Sequence, residues 1–130
     1  MPVDPQFAPL LAMTEDAPPF SELPLEVLRS GMGAPRPEGV EPTPVAQVIE
    51  ESIPGPRGDI KVRIYRPHAV GQRPILLFMH GGGFILGDLD THDEVARILA
   101  IKADCVTVAV DYRLAPENPF PAAPDDCFAA

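Results

Sequence analysis

The sequence predicts an α/β protein: an antiparallel hairpin at a sheet edge, then a parallel βαβ unit, preceded by short helical segments. Three observations carry this. The runs Ile75–Met79 and Val106–Val110 are apolar with almost no polar alternation, as in strands covered on both faces. Helical periodicity over Asp93–Ala103 separates them, giving a unit of the ~30-residue length of a right-handed crossover. Upstream, Ile60–Pro67 alternates apolar and polar residues, the signature of a strand with one wet face.

Residues 1–44 hold 10 of the 18 prolines and read as short helices broken by loops. Leu10–Met13 fits one short helix. Ser21–Gly31 fits a second, with Ser21 as N-cap, Pro24 early and Gly31 as the stop. Leu23, Val27 and Leu28 recur at helical spacing, so this helix has a face to bury and suits a lid or cap lying on another part of the fold. Residues 32–44 read as loop.

From Val45 the texture changes. Val45–Ile53 reads as a strand ended by Pro54-Gly55-Pro56, pairing with the strand at Ile60 as a hairpin. In the crossover helix, Thr91 and Glu94 have capping-box spacing, Val95, Ile98, Leu99 and Lys102 share one face, and Lys102 suits the negative end of the dipole. Pro124–Ala130 reads as a first helical turn, with Pro124 at N1 and acids near the positive end. The chain therefore divides into a helical cap segment and loop, 1–44, and an incomplete sheet-bearing core, 45–130.

At 130 residues the chain is long enough for one small domain. The net charge of −9, from 19 acids against 10 bases, argues against nucleic-acid partners and against an anionic membrane surface. No apolar run approaches the ~20 residues of a membrane span. The start, Met1-Pro2-Val3-Asp4, has neither the basic nor the apolar region of a signal peptide. Cys105 and Cys127 fit no C-x-x-C or zinc spacing. They read as two reduced thiols of a cytoplasmic protein rather than as a disulfide or metal site. No metal and no cofactor is expected.

The chemistry concentrates in His80-Gly81-Gly82-Gly83-Phe84, directly after Ile75–Met79. Three glycines at a strand end free backbone N–H groups to face a negative charge. A dinucleotide fingerprint fails here, because Leu86 stands where the third glycine belongs. A Walker loop fails too, because Asp88 and Leu89 replace Lys and Ser/Thr. An oxyanion-binding loop and a plain glycine-rich turn stay open on this segment alone. H-G-G-G loops form the oxyanion hole of lipases and esterases.

A second motif, Asp111-Tyr112-Arg113-Leu114-Ala115-Pro116-Glu117, follows the second apolar run. With His80–Phe84 and Gly87–Asp93 in the same order and spacing, it resembles the hormone-sensitive-lipase-like branch of the α/β-hydrolases, mostly microbial carboxylesterases. The resemblance covers about residues 45–130, and the N-terminal helices are similar to the first part of that family's cap. It implies the N-terminal part of an α/β-hydrolase sheet. It also implies backbone N–H donation to the oxyanion from Gly82 and Gly83, with His80 and Gly81 supporting the loop and Phe84 lining the acyl side of the pocket. The implied partner is a small-molecule ester of short to medium acyl chain. Arg113 and Glu117 read as a structural ion pair pinning their loop.

The family's nucleophile lies in a G-x-S-x-G elbow, with an acid and a histidine further on. The serines here, Ser21, Ser30 and Ser52, lack that setting, and His68 and His92 read as turn and helix-cap residues. The triad is therefore expected outside these residues, in the same chain or in another, and residues 1–130 alone are expected to be inactive. Two further readings are a small-ligand-binding module without catalysis and one half of a split hydrolase.

Overall fold

The computed structural model describes residues 3–14, 17–32, 38–68 and 70–130. Four strands form one sheet in the order β1-β2-β4-β3: β1 (Gln47–Gly55), β2 (Gly58–Arg66), β3 (Ile75–Met79) and β4 (Val106–Val110). β1 and β2 pair antiparallel from Gln47↔Arg66 to Gly55↔Gly58. β2 pairs antiparallel with β4, Val62↔Val110 to Tyr65↔Thr107. β3 pairs parallel with β4, Ile75↔Val106 to Met79↔Val110, with α3 (Asp93–Lys102) as the crossover. α1 (Ala8–Thr14) and α2 (Leu25–Met32) precede the sheet, and α4 (Ala122–Ala129) follows it.

The period-two alternation of β2 and β4 builds a core on each face of the sheet. Ile60, Val62, Val110, Tyr112 and Ala123 form one cluster, joined by half-buried Cys127 of α4. Tyr65, Leu89, Ala96, Ala100 and Ala109 form the other, under α3. The parallel strand β4 is thus covered on both sides, as its unbroken apolar run predicts.

Several boundaries differ from the sequence reading. β1 runs through Pro54 to Gly55 instead of stopping at Pro54. It is an edge strand, where a residue without an N–H need not break a ladder. The second helix does not start at Ser21 or stop at Gly31. Phe20–Glu22 is a 3-10 turn, and Leu23 is extended (φ −81°, ψ 137°) before Pro24, as the proline ring demands of the residue preceding it. α2 begins only at Leu25 and runs through Gly31. Its Val27 is 51% exposed, while Leu25, Leu28 and Arg29 are half-buried.

The capping box at α3 is not formed. His92 occupies the N-cap without a side-chain cap bond. The Thr91 hydroxyl instead accepts from the Asp88 N–H and donates to the Asp88 carbonyl, and Glu94 accepts from the Thr43 N–H and hydroxyl. The face of α3 is also shifted. Ala96 and Ala100 are fully buried, whereas Val95 and Ile98 are 45% and 42% exposed. Two alanines let the helix approach the sheet closely over Tyr65 and Ala109, and larger side chains are turned away. α4 begins at Ala122, before the expected Pro124, with Pro121 as N-cap residue. Among the described residues, no helix is long and apolar enough to cross a membrane.

Candidate functional site

The loop from His80 to Gly87 leaves the C-terminal end of β3, and the loop from Asp111 leaves the neighbouring end of β4. Parallel pairing brings the two side by side. The Gly82 carbonyl accepts from the N–H groups of Ile85 (3.1 Å) and Leu86 (2.9 Å), closing a tight turn. A Cβ on Gly82 would stand 2.0 Å from the Leu86 carbonyl oxygen, at a φ of +128°, so only glycine fits. A Cβ on Gly87 would meet the Gly81 carbonyl at 2.5 Å and His80 Nδ1 at 2.7 Å. Phe84 takes a left-handed backbone, φ +64°, which a non-glycine residue holds at a cost of about 1–2 kcal/mol. The Ala115 N–H, donating to the Phe84 carbonyl at 2.8 Å, ties that residue to the second loop.

The consequence is a pair of unused donors. Among the described residues, neither the Gly82 nor the Gly83 N–H has a protein acceptor. Beside them lies an open apolar cleft of about 470 Å³, lined by Gly83, Phe84, Ile85, Ala115, Phe120 and Pro124 among others. Phe84 is 63% exposed and tops this cleft. Unused backbone donors beside an apolar space are suited to an oxygen atom on which negative charge develops.

His80 is 5% exposed and lies under the loop. Its ring stacks on Tyr112 at 4.2 Å between centroids, with planes 11° apart. The Tyr112 hydroxyl donates to the His80 carbonyl at 2.7 Å. Nδ1 of His80 lies 2.9 Å from the Gly81 carbonyl, which assigns the ring proton to Nδ1. Nε2 is buried and has no partner among the described residues. His92 sits alongside, its ring centroid 5.4 Å from that of His80. As the sequence predicts, His92 lies in the helix cap: it is the half-buried N-cap residue of α3, its carbonyl accepts the Ala96 N–H, and its side chain makes no cap bond. Burial, helped by the nearby His80, pushes the His92 imidazole below its ordinary value. Burial of Asp88 opposes its ionisation, but hydrogen bonds from Thr91 and Asp90 outweigh it and hold the carboxyl low. Burial raises Asp111.

The expected pair between Arg113 and Glu117 is not formed. Arg113 clasps Asp126 of α4, with Nη2 2.7 Å from Oδ1 and Nε 2.8 Å from Oδ2, while its own N–H reaches Oδ2 at 3.0 Å. Asp126 is 1% exposed, and a carboxylate so buried needs this pairing. Glu117 instead receives both Nη atoms of Arg29, each at 2.8 Å, across from α2. Both motif residues form ion pairs, each with a partner other than the one the sequence predicts. His68 lies apart, its Nε2 3.3 Å from the Pro44 carbonyl, and the Ser30 hydroxyl donates to the Val27 carbonyl.

The structure thus brings His80, Gly81, Gly82, Gly83 and Phe84 into one loop and adds three residues that the sequence did not single out for the site. Tyr112 was legible in principle, as an aromatic at a buried strand end. Arg29 and Asp126 were not, because nothing local marks an ion pair whose partners stand 88 positions apart, as in Arg29–Glu117, or 13 apart, as in Arg113–Asp126. Among the described residues, no group of three His, Cys, Asp or Glu side chains could hold a metal ion.

Residues 76–130 match a family described as the alpha/beta hydrolase fold. Among curated relatives, a carboxylic ester hydrolase, LipN, of Mycobacterium tuberculosis is 54% identical over 83 residues, covering 64% of this chain and 22% of LipN. The esterase LipI of the same organism is 50% identical over 90 residues, covering 67% of this chain and 28% of LipI. Among solved structures, a hyperthermophilic esterase from the archaeon Pyrobaculum calidifontis superposes with a TM-score of 0.77 at 34% identity, over 97% of this chain and 41% of the other. An ester hydrolase from the metagenome of Lake Arreo superposes with a TM-score of 0.79 at 37% identity, over 98% and 43%. The chain spans about a quarter of the length of the curated relatives that it matches. Sheet order, the two loops at the strand ends and these likenesses agree: the chain has the fold of the α/β-hydrolases.

Proposed function

We propose that this chain is the N-terminal part of a serine carboxylesterase of the hormone-sensitive-lipase-like branch. In this reading it contributes the oxyanion loop, one wall of the acyl pocket and the first cap helices. The observation that carries the reading is the pair of free N–H groups at Gly82 and Gly83 beside an apolar cleft. In acyl transfer they donate to the oxygen of the tetrahedral intermediate, and one such donor is worth about 3 kcal/mol of barrier. His80 and Gly81 hold the loop, and Phe84 contacts the acyl chain of a small ester of short to medium length. Serine, acid and histidine of the triad lie outside residues 1–130. Two thiols, Cys105 and Cys127, support a reducing, cytoplasmic setting.

The test has two parts. The coding frame is read past the codon for Ala130, and the protein from the whole frame is assayed on p-nitrophenyl acetate beside residues 1–130 alone. A G-x-S-x-G elbow followed by Asp and His, with serine-inhibitor-sensitive turnover by the whole protein and none by residues 1–130, supports the reading. Turnover by residues 1–130, sensitive to the same inhibitor, would overturn the assignment of the nucleophile.

A further inference from the structure

We propose that Arg29 is a positioning residue for the oxyanion loop, coupling the N-terminal cap helix to the geometry of the Gly82 and Gly83 donors. The inference rests on the oxyanion reading above. Arg29 lies in the last turn of α2, and its guanidinium makes four hydrogen bonds to two loops. Two go to the Glu117 carboxylate. The other two go to main-chain carbonyls: Nε to Ile85 at 3.0 Å and Nη2 to Ala115 at 3.0 Å.

Those two carbonyls belong to relay residues. The N–H of Ile85 donates to the Gly82 carbonyl at 3.1 Å, and the N–H of Ala115 donates to the Phe84 carbonyl at 2.8 Å. Arg29 therefore holds, through their carbonyls, two of the residues whose N–H groups fasten the loop. An ion pair with Glu117 needs neither carbonyl, and an exposed pair of this kind is screened by salt and weak by itself. The planar fork of arginine is what allows one side chain to serve a carboxylate and two carbonyls together. The point charge of lysine cannot reproduce it. A cap that is seated through Arg29 thus sets the loop, and a cap that lifts away releases it.

The experiment uses the protein from the complete coding frame, with variants Arg29→Ala, Arg29→Lys and the charge swap Arg29→Glu/Glu117→Arg. Hydrogen exchange reads the amides of Ile85, Leu86 and Ala115, with β4 amides as the control for folding. Arg29→Ala is expected to speed exchange at those three by about tenfold or more while β4 is unchanged. Hydrolysis of p-nitrophenyl acetate is expected to lose about tenfold in kcat with KM held within about twofold, because a misplaced donor acts on the transition state. The charge swap restores opposite charges but offers a carboxylate to two carbonyls, so kcat stays low, and Arg29→Lys recovers it only in part. Unchanged exchange at Ile85 and Ala115 would overturn the proposal. So would full recovery of kcat by the swap, or a rise in KM with kcat untouched. If the whole protein hydrolyses no ester, the esterase reading fails, and the exchange data still decide whether Arg29 holds the loop.

Discussion

Tyr112 holds His80 twice: its ring stacks on the imidazole at 4.2 Å, and its hydroxyl donates to the His80 carbonyl at 2.7 Å. One residue at the end of β4 thus fixes both the side chain and the main chain of the residue that starts the glycine loop at the end of β3. Parallel pairing makes this possible, because it delivers both strand ends to the same edge of the sheet.

Tyr112→Phe separates the two contacts. It keeps the stack and leaves a buried carbonyl without its donor, so stability should fall by about 1 kcal/mol in urea denaturation. Tyr112→Leu loses the stack as well and should cost more, about 2–3 kcal/mol. Phenylalanine and tyrosine proteins of equal stability would mean that stacking alone holds His80.

Gly82→Ala should abolish the loop geometry, since its Cβ would overlap the Leu86 carbonyl oxygen at 2.0 Å. The expected loss in kcat of the whole protein is about 100-fold or more, the scale of one lost oxyanion donor. Gly83→Ala is the control. Its Cβ meets nothing within 4 Å, and its cost is the left-handed backbone alone, about 1 kcal/mol. Equal damage from the two substitutions would argue that loop flexibility, not the Gly82 turn, matters.

The sheet and the loop were legible in the sequence because each rests on short-range pattern: alternation in Ile60–Pro67, unbroken apolar runs, and glycines after a strand. What was not legible depends on long-range competition for charge and space. Thr91 and Glu94 have the spacing of a cap, but Asp88 and Thr43 bind them first. Val95 and Ile98 have the spacing of a buried face, but Ala96 and Ala100 allow closer packing on the sheet. Arg113 and Glu117 have the spacing of a pair, but Asp126 and Arg29 offer each a better partner.

Asp126 makes a sharper test of that competition. Arg113→Ala leaves a carboxylate that is 1% exposed without its cation. The loss should exceed that of an ordinary surface ion pair, because the remaining charge is stranded. Asp126→Asn, which removes the charge and keeps a hydrogen-bonding group, should cost less, and the double variant should cost less than the sum of the two single ones. Strict additivity in chemical denaturation would show that the two side chains do not act as a unit.

Acid should separate the Arg29–Glu117 pair from the rest of the fold. Hydrogen bonds from Arg29 hold the Glu117 carboxyl at about 2, below its ordinary 4.5. A pKa depressed in the folded state means that folding favours the ionised form, so the contribution is fully present above pH 4.5 and is lost as pH falls through about 2. Glu117→Gln should therefore melt below the wild type near pH 6, and the two curves should converge as pH approaches 2. The pair is open to water, so 1 M salt at pH 6 should also narrow the gap. The two carbonyl contacts of Arg29 carry no titrating group. Arg29→Ala should accordingly stay less stable than Glu117→Gln at pH 2, where the ion pair no longer distinguishes them. Identical melting of those two variants across the whole range would reduce Arg29 to the cation of a surface pair.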